Sequence, residues 1–215
     1  MQSRPDTKSA VSEMKARQLD IPGAWEITPQ VHADSRGLFF EWLTDREFTA
    51  FTSHRLDVRQ ANCSVSAAGV LRGLHFAQLP PSQAKYVTCV NGSVFDVVVD
   101  IRVGSPAFGR WDAVLLDDRD RKSVYLSEGL AHGFLALQNN STVMYLCSAE
   151  YNPAREHTIR ATDPALRIDW PVVDEVAPRM SERDAAAPTL DEVHQAGLLP
   201  TWVETQAFID RLSDR

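Results

Sequence analysis

The chain has 215 residues, with 22 Lys and Arg against 29 Asp and Glu, a formal net charge of −7 and 44% hydrophobic residues. That is an ordinary soluble composition, long enough to bury one sizeable core without a disulfide or metal staple. The acidic balance, with no run of five like charges, argues against a nucleic-acid partner or an anionic membrane surface, and the longest apolar stretch, Gly129 to Leu137, falls far short of the ~18 residues of a membrane span.

In chain order, residues 1–13 are polar and carry no apolar signal segment, so a disordered extension is expected there. Ordered structure is expected to open at Met14 and to form one domain over 14–215: a β-rich body over about 16–170 and a helical tail over about 181–213. A short helix is expected at Asp45 to Thr52. From Ala16 to Ile168 the pattern is short strands punctuated by Gly, Pro, Asn and Asp. Asn91-Gly92, between KYVTCV and SVFDVVVDI, predicts a type I′ hairpin. Asn139-Asn140 predicts a second hairpin, between GFLAL and TVMYLCSA. In the strand after Gly92, alternation puts Phe95, Val97, Val99 and Ile101 on one face and Val94, Asp96, Val98 and Asp100 on the other. Both faces are largely apolar, as in a sheet covered on both sides. About eight to ten strands at this spacing predict an all-β fold, either a double-sheet jelly roll or a small barrel, with room inside for one ligand. The tail carries two capping-box patterns, Thr189-x-x-Glu192 and Thr201-x-x-Glu204, and Trp202, Phe208, Ile209 and Leu212 recur at helical spacing. Cys63, Cys89 and Cys147 lie in β-type runs without metal or redox spacing, and read as buried thiols of a reducing cytoplasm.

Four segments set ionisable residues into apolar strands: Arg36 to Glu41, Gln60 to Ser66, Arg72 to His75 with Lys85, and Gly129 to Phe134. Such residues are expected to line a ligand cavity. Singly, each has a plainer reading. His75 could be a hydrogen-bonded core histidine, Tyr145 a packing ring, and Arg36 and Arg72 surface ion-pair partners. A metal is not expected, because Phe76 and Ala77 follow His75 and the His-x-His pair that presents two imidazoles to one ion is missing. Nucleotide-binding loops, nucleophile elbows and zinc-protease motifs are absent too. One histidine, one lysine, one tyrosine and several arginines suit an anionic substrate from which a proton is removed and to which it is returned. The imidazole is the base, the ammonium stabilises an enolate, and the tyrosine reprotonates the opposite face. The outcome is epimerisation.

At these residues the sequence resembles the dTDP-4-dehydrorhamnose 3,5-epimerases, also called dTDP-4-keto-6-deoxyglucose 3,5-epimerases. The resemblance runs from about Met14 to Leu212 through DSRGLFFE (Asp34 to Glu41), Asn62 to Ser66, GVLRGLHF (Gly69 to Phe76), Val94 to Trp111, EGLAHGFLAL (Glu128 to Leu137) and MSERD (Met180 to Asp184). It implies a cupin-like double-sheet jelly roll, usually a homodimer, that works without metal or organic cofactor; with the thiols above, a cytoplasmic location is expected. It also implies inversion of C3 and C5 of dTDP-4-keto-6-deoxy-D-glucose to give dTDP-4-keto-L-rhamnose. By motif, His75 resembles the family's base, Asp184 its carboxylate partner, Tyr145 the acid and Lys85 the enolate-stabilising group. Arg72 and His132 match substrate contacts, and Arg36, Phe39, Glu41, Gln60, Asn62, Glu156 and Arg183 match positions that grip the nucleotide-sugar. Tyr151 matches the ring that stacks on thymine. The chain departs from the common pattern at Ser127, where Pro is frequent, at Phe76, where Tyr is, and at Arg183, where Lys is. The alternatives are an epimerase acting on one carbon, a non-catalytic sugar-nucleotide binding barrel and a metal-dependent cupin oxygenase.

Overall fold

The computed structural model describes residues 14–174 and 177–213; the extension expected over residues 1–13 lies outside the described residues. The elements in chain order are β1 (Lys15–Gln18), β2 (Ala24–Thr28), β3 (His32–Asp34), β4 (Gly37–Phe39), α1 (Asp45–Thr52), β5 (Gln60–Ser66), β6 (Leu71–Ala77), β7 (Lys85–Asn91), β8 (Ser93–Asp100), β9 (Trp111–Asp117), β10 (Ser123–Leu126), β11 (Leu130–Ala136), β12 (Ser141–Cys147), β13 (Glu156–Thr158), α2 (Glu182–Ala185), α3 (Leu190–Gln195) and α4 (Trp202–Ser213). Among the described residues, eleven of the strands form two sheets, ordered β1-β2-β10-β7-β12-β5 and β13-β6-β11-β8-β9, while β3 and β4 pair only with each other. This is a double-sheet jelly roll, with one more strand in its sheets than the upper expectation.

Alternation along each strand builds three apolar layers. Val94 and Val98 of β8 point between the sheets, where they join Val87, Cys89, Val114, Leu116, Phe134 and Val143. The other face of the same strand, Phe95, Val97 and Val99 with Ile101 beyond it, packs outward under the tail against Ile159, Leu166, Leu190 and Val193. A third cluster, Ile27, Phe48, Tyr86 and Tyr125, lies where α1 covers the outside of the larger sheet. The two-faced apolar pattern of β8 therefore reports one face in the core and one beneath the tail.

Neither expected hairpin forms. β7 and β8 belong to different sheets, as do β11 and β12, so Asn91-Gly92 and Asn139-Asn140 are corners at which the chain crosses from one sheet to the other. A type I′ turn needs φ > 0 at both central residues, yet at the first corner only Gly92 has it, at +76°. The corners are stitched together. Ser141 Oγ donates to Ser93 O at 2.9 Å, and Asn91 Nδ2 donates to Asn140 O at 2.9 Å. A Cβ on Gly92 would lie 2.8 Å from Ser141 Oγ, so the stitch requires glycine.

The tail is helical as expected. Thr189 and Glu192 form a reciprocal capping box on α3, which buries Leu190 and Val193. At α4, Thr201 Oγ1 accepts from Glu204 N and donates to Glu204 Oε2. The guanidinium of Arg102, fully buried and bound to both oxygens of Asp100, lies 4.6 Å from the Trp202 ring and fixes the start of α4 to the roll. Cys89 and Cys147 are buried free thiols, but Cys63 is exposed. On β5 the inward positions are Gln60, Asn62, Ser64 and Ser66, which turns Cys63 out of the sandwich.

Candidate active site

The site begins with a phase shift in β6. Alternation alone would point Arg72 and His75, three residues apart, to opposite faces of the sheet. Their partners on β11 are Phe134 and His132, only two residues apart, so β6 carries one extra residue between them. This β-bulge puts both Arg72 and His75 on the inner face and sends Leu74 into the outer layer under the tail. Gly73 makes the bulge possible, with φ of +114° and a backbone so close to β11 that a Cβ would lie 2.7 Å from His132 O and from Gly133 Cα.

His75 is held from the tail. Its Nε2–H donates to Asp184 Oδ1 at 2.8 Å, which leaves Nδ1 as the nitrogen able to accept a proton. Asp184, on α2, is 5% exposed. Burial alone would raise its pKa, but the His75 hydrogen bond and charge, Gly73 N–H and Ser181 together hold it below the ordinary carboxylate value. It therefore stays anionic and steadies an imidazolium.

The facing sheet supplies the other groups. Tyr145 on β12 and Lys85 on β7 share the inner face, since Tyr145 is in register with Val87 and Cys147 with Lys85. Burial, then the neighbouring Cys147, pushes the Tyr145 phenol above its ordinary pKa, so it is kept as a proton donor. Lys85 is only 8% exposed, and among the described residues its ammonium has no hydrogen-bond or ion-pair partner. A buried cation without a partner is costly unless a ligand supplies one. A cavity of about 360 Å³ joins these residues to Gln60, Asn62, Gln83, Tyr151, Glu156 and Arg183. A second concavity of about 410 Å³ meets it at His75 and Arg183, and adds Arg72, Arg179 and Asp184. Arg72 spans the sheets, donating to Ser66 Oγ at 3.1 Å and to Val65 O at 3.4 Å.

The remaining expected site residues lie apart from these two hollows. His132 stands beside His75 across the ladder, but it is 7% exposed and its Nε2–H donates to Asp96 Oδ2 at 2.8 Å. Arg36 is paired with Asp34 on the β3–β4 hairpin, Phe39 is 67% exposed and Glu41 follows on the surface. The hairpin residues line a separate surface hollow instead. Two lining residues, Gln83 and Arg179, were not singled out by the sequence reading. Gln83 had a signal, because it precedes Lys85 by two and so shares its side of the chain; Arg179 had none.

A histidine and a tyrosine on facing walls, with an unpaired ammonium beside them, can take a proton from one face of a carbon next to a ketone and return one to the other face of the enolate so formed. Comparison with known proteins agrees. The family model for dTDP-4-dehydrorhamnose 3,5-epimerase matches residues 18–192. A dTDP-4-dehydrorhamnose 3,5-epimerase of Mycobacterium tuberculosis (strain ATCC 25618 / H37Rv) is 76% identical over 199 residues, covering 93% of this chain and 98% of that protein. A dTDP-4-dehydrorhamnose 3-epimerase of Streptomyces niveus is 52% identical over 194 residues, 90% of this chain and 92% of that one. The solved structure of the Mycobacterium tuberculosis rmlC epimerase aligns with a TM-score of 0.92 at 76% identity, covering 93% of this chain and 100% of that chain. The chain belongs to the dTDP-4-dehydrorhamnose 3,5-epimerase family.

Proposed function

We propose that this protein inverts C3 and C5 of dTDP-4-keto-6-deoxy-D-glucose, giving dTDP-4-keto-L-rhamnose for dTDP-L-rhamnose biosynthesis, by proton transfer alone. The observation that carries the reading is the opposition of His75, oriented by Asp184, to Tyr145 across the cavity, with unpaired Lys85 beside Tyr145. His75 Nδ1 takes the proton α to the C4 ketone. The Lys85 ammonium stabilises the enolate oxygen, and Tyr145 protonates the far face. Since the ketone acidifies both C3–H and C5–H, the same groups serve twice if the ring turns over between steps.

Gln60, Asn62, Glu156 and Arg183 hold the nucleotide-sugar, Tyr151 stacks on the base, Arg72 meets the anionic portion, and His132 touches the substrate by its exposed edge. Arg36, Phe39 and Glu41 fit the same role in a homodimer, where the exposed hairpin of one copy reaches the site of the other. The apolar exposure of Phe39 and Leu38, 67% and 48%, supports an occupied hairpin. We place the reaction in the cytoplasm, which suits the free thiols of Cys89 and Cys147.

The relative from Streptomyces niveus, a 3-epimerase, favours a second reading in which only C3 inverts. Proton NMR of the substrate with the protein in D₂O tests both. Deuterium at C3 and C5, with dTDP-4-keto-L-rhamnose as product, is the expected result. Exchange confined to C3 selects the second reading, and exchange at neither carbon overturns both.

A further inference from the structure

We propose that Gln83 binds substrate through its amide oxygen, which accepts a hydrogen bond from the hydroxyl on C2 of the hexose; this rests on the substrate assigned above. Gln83 is 7% exposed and lines the cavity beside Lys85. Its Nε2 donates to Ala149 O at 2.8 Å. That bond fixes which end of the amide is which, and Oε1 accepts from no group among the described residues. Segments flanking it are tied down as well: Ala84 N–H donates to Ser148 Oγ at 2.8 Å and Ser148 N–H to Ala84 O at 3.1 Å. The oxygen is thus a preorganised acceptor on a rigid support.

The oxygens of the other cavity amides already accept one bond each. Gln60 Oε1 accepts from Tyr151 N–H at 2.7 Å, and Asn62 Oδ1 accepts from Gln60 Nε2 at 2.8 Å. Lys85 and Arg183 can only donate, and Tyr145 is committed to delivering a proton. A ketone and a diphosphate need donors, whereas a sugar hydroxyl needs an acceptor. Of the cavity's other acceptors, His75 Nδ1 and the Tyr145 oxygen are taken by the proton transfer and Tyr151 by the base, which leaves Gln83 Oε1 and the Glu156 carboxylate for the sugar.

Two further arguments select C2 and an amide. The hydroxyl on C3 changes configuration as that carbon inverts, while the hydroxyl on C2 keeps its own, so a fixed acceptor meets the same C2 stereocentre in substrate and product. A carboxylate at position 83 would pair with the Lys85 ammonium and blunt its pull on the enolate oxygen. A neutral amide accepts a hydroxyl and leaves that charge free.

The test compares kcat and KM of wild type and Gln83→Leu on dTDP-4-keto-6-deoxyglucose and on its 2-deoxy analogue. Gln83→Leu is expected to lower kcat/KM about tenfold for the hydroxylated substrate, the scale of one hydrogen bond, and to leave the analogue within about twofold of wild type. Equal losses on both substrates would mean a structural role only and overturn the proposal, as would no loss on either. Gln83→Met repeats the comparison should the leucine variant not fold. Gln83→Glu is expected to lower kcat on both substrates by pairing with Lys85. Wild type that exchanges no deuterium at C3 or C5 would remove the substrate assignment itself, a failure distinct from that of Gln83.

Discussion

Two histidine–aspartate pairs stand side by side in this roll, His75–Asp184 and His132–Asp96, each closed at 2.8 Å by Nε2. The histidines are register partners across β6 and β11, so the same chemistry is presented twice on one face. Their surroundings differ. The His75 side chain is 38% exposed and opens on the cavity, whereas those of His132 and Asp96 are 8% and 0% exposed and Asp96 Oδ1 has no hydrogen-bond partner among the described residues. Asp184 arrives on a helix of the tail, while Asp96 is a residue of strand β8, between β11 and β9 in the smaller sheet. On the proposed reading, the open dyad transfers the proton, while the buried one, which meets the substrate only at the edge of His132, is chiefly a strut.

Several substitutions would break or sharpen that contrast. The largest effect is expected from His75→Asn, which should keep the fold and lower kcat by about a thousandfold, the scale of a positioned general base. Deuterium exchange into substrate should fall in step, and a near-normal rate would disqualify His75. His132→Asn should act first on stability, by about 3 kcal/mol in a denaturant melt, because Asp96 is then buried without its partner. A variant that is as stable as wild type yet inactive would show that the second pair belongs to the chemistry. Gly73→Ala should cost about 2 kcal/mol and depress activity, since its Cβ would press on the β11 backbone beside both histidines. The smallest effect concerns pH. Asp184 is held below its ordinary pKa, so its ionised form stabilises the fold at neutral pH, and that contribution is lost as pH falls through the depressed value. The stability difference between wild type and Asp184→Asn should therefore shrink on acidification, and a constant difference across melts from neutral to acid pH would contradict it.

Much of this was legible in the residues. The alternation of β8 placed Val94 and Val98 apart from Phe95, Val97 and Val99, and the structure divides them the same way. Thr189 and Glu192 marked the start of α3, and Asp45 to Thr52 forms α1. The connections were not legible, because Asn-Gly signals a reversal without saying whether the chain returns to its own sheet or crosses to the other. Cys63 was misplaced for a related reason: composition marks a strand, but only pairing shows which of its faces is inward. His75, Lys85, Tyr145 and Asp184 come together from three strands and a helix, a convergence that spacing along the chain cannot reveal. The hairpin carrying Arg36 and Phe39 lies apart from them, with β3 and β4 paired to each other and to no further strand among the described residues.

The extra residue in β6 has a consequence for how this segment can change over time. With the bulge in place, Arg72 and His75 share the inner face at a spacing of three; were the strand to lose one residue between them, plain alternation would hold both inward at a spacing of two, with no bulge and no need of glycine there. The interval and the glycine are therefore coupled. Among distant descendants of such a chain, the glycine should be inherited wherever the three-residue interval is.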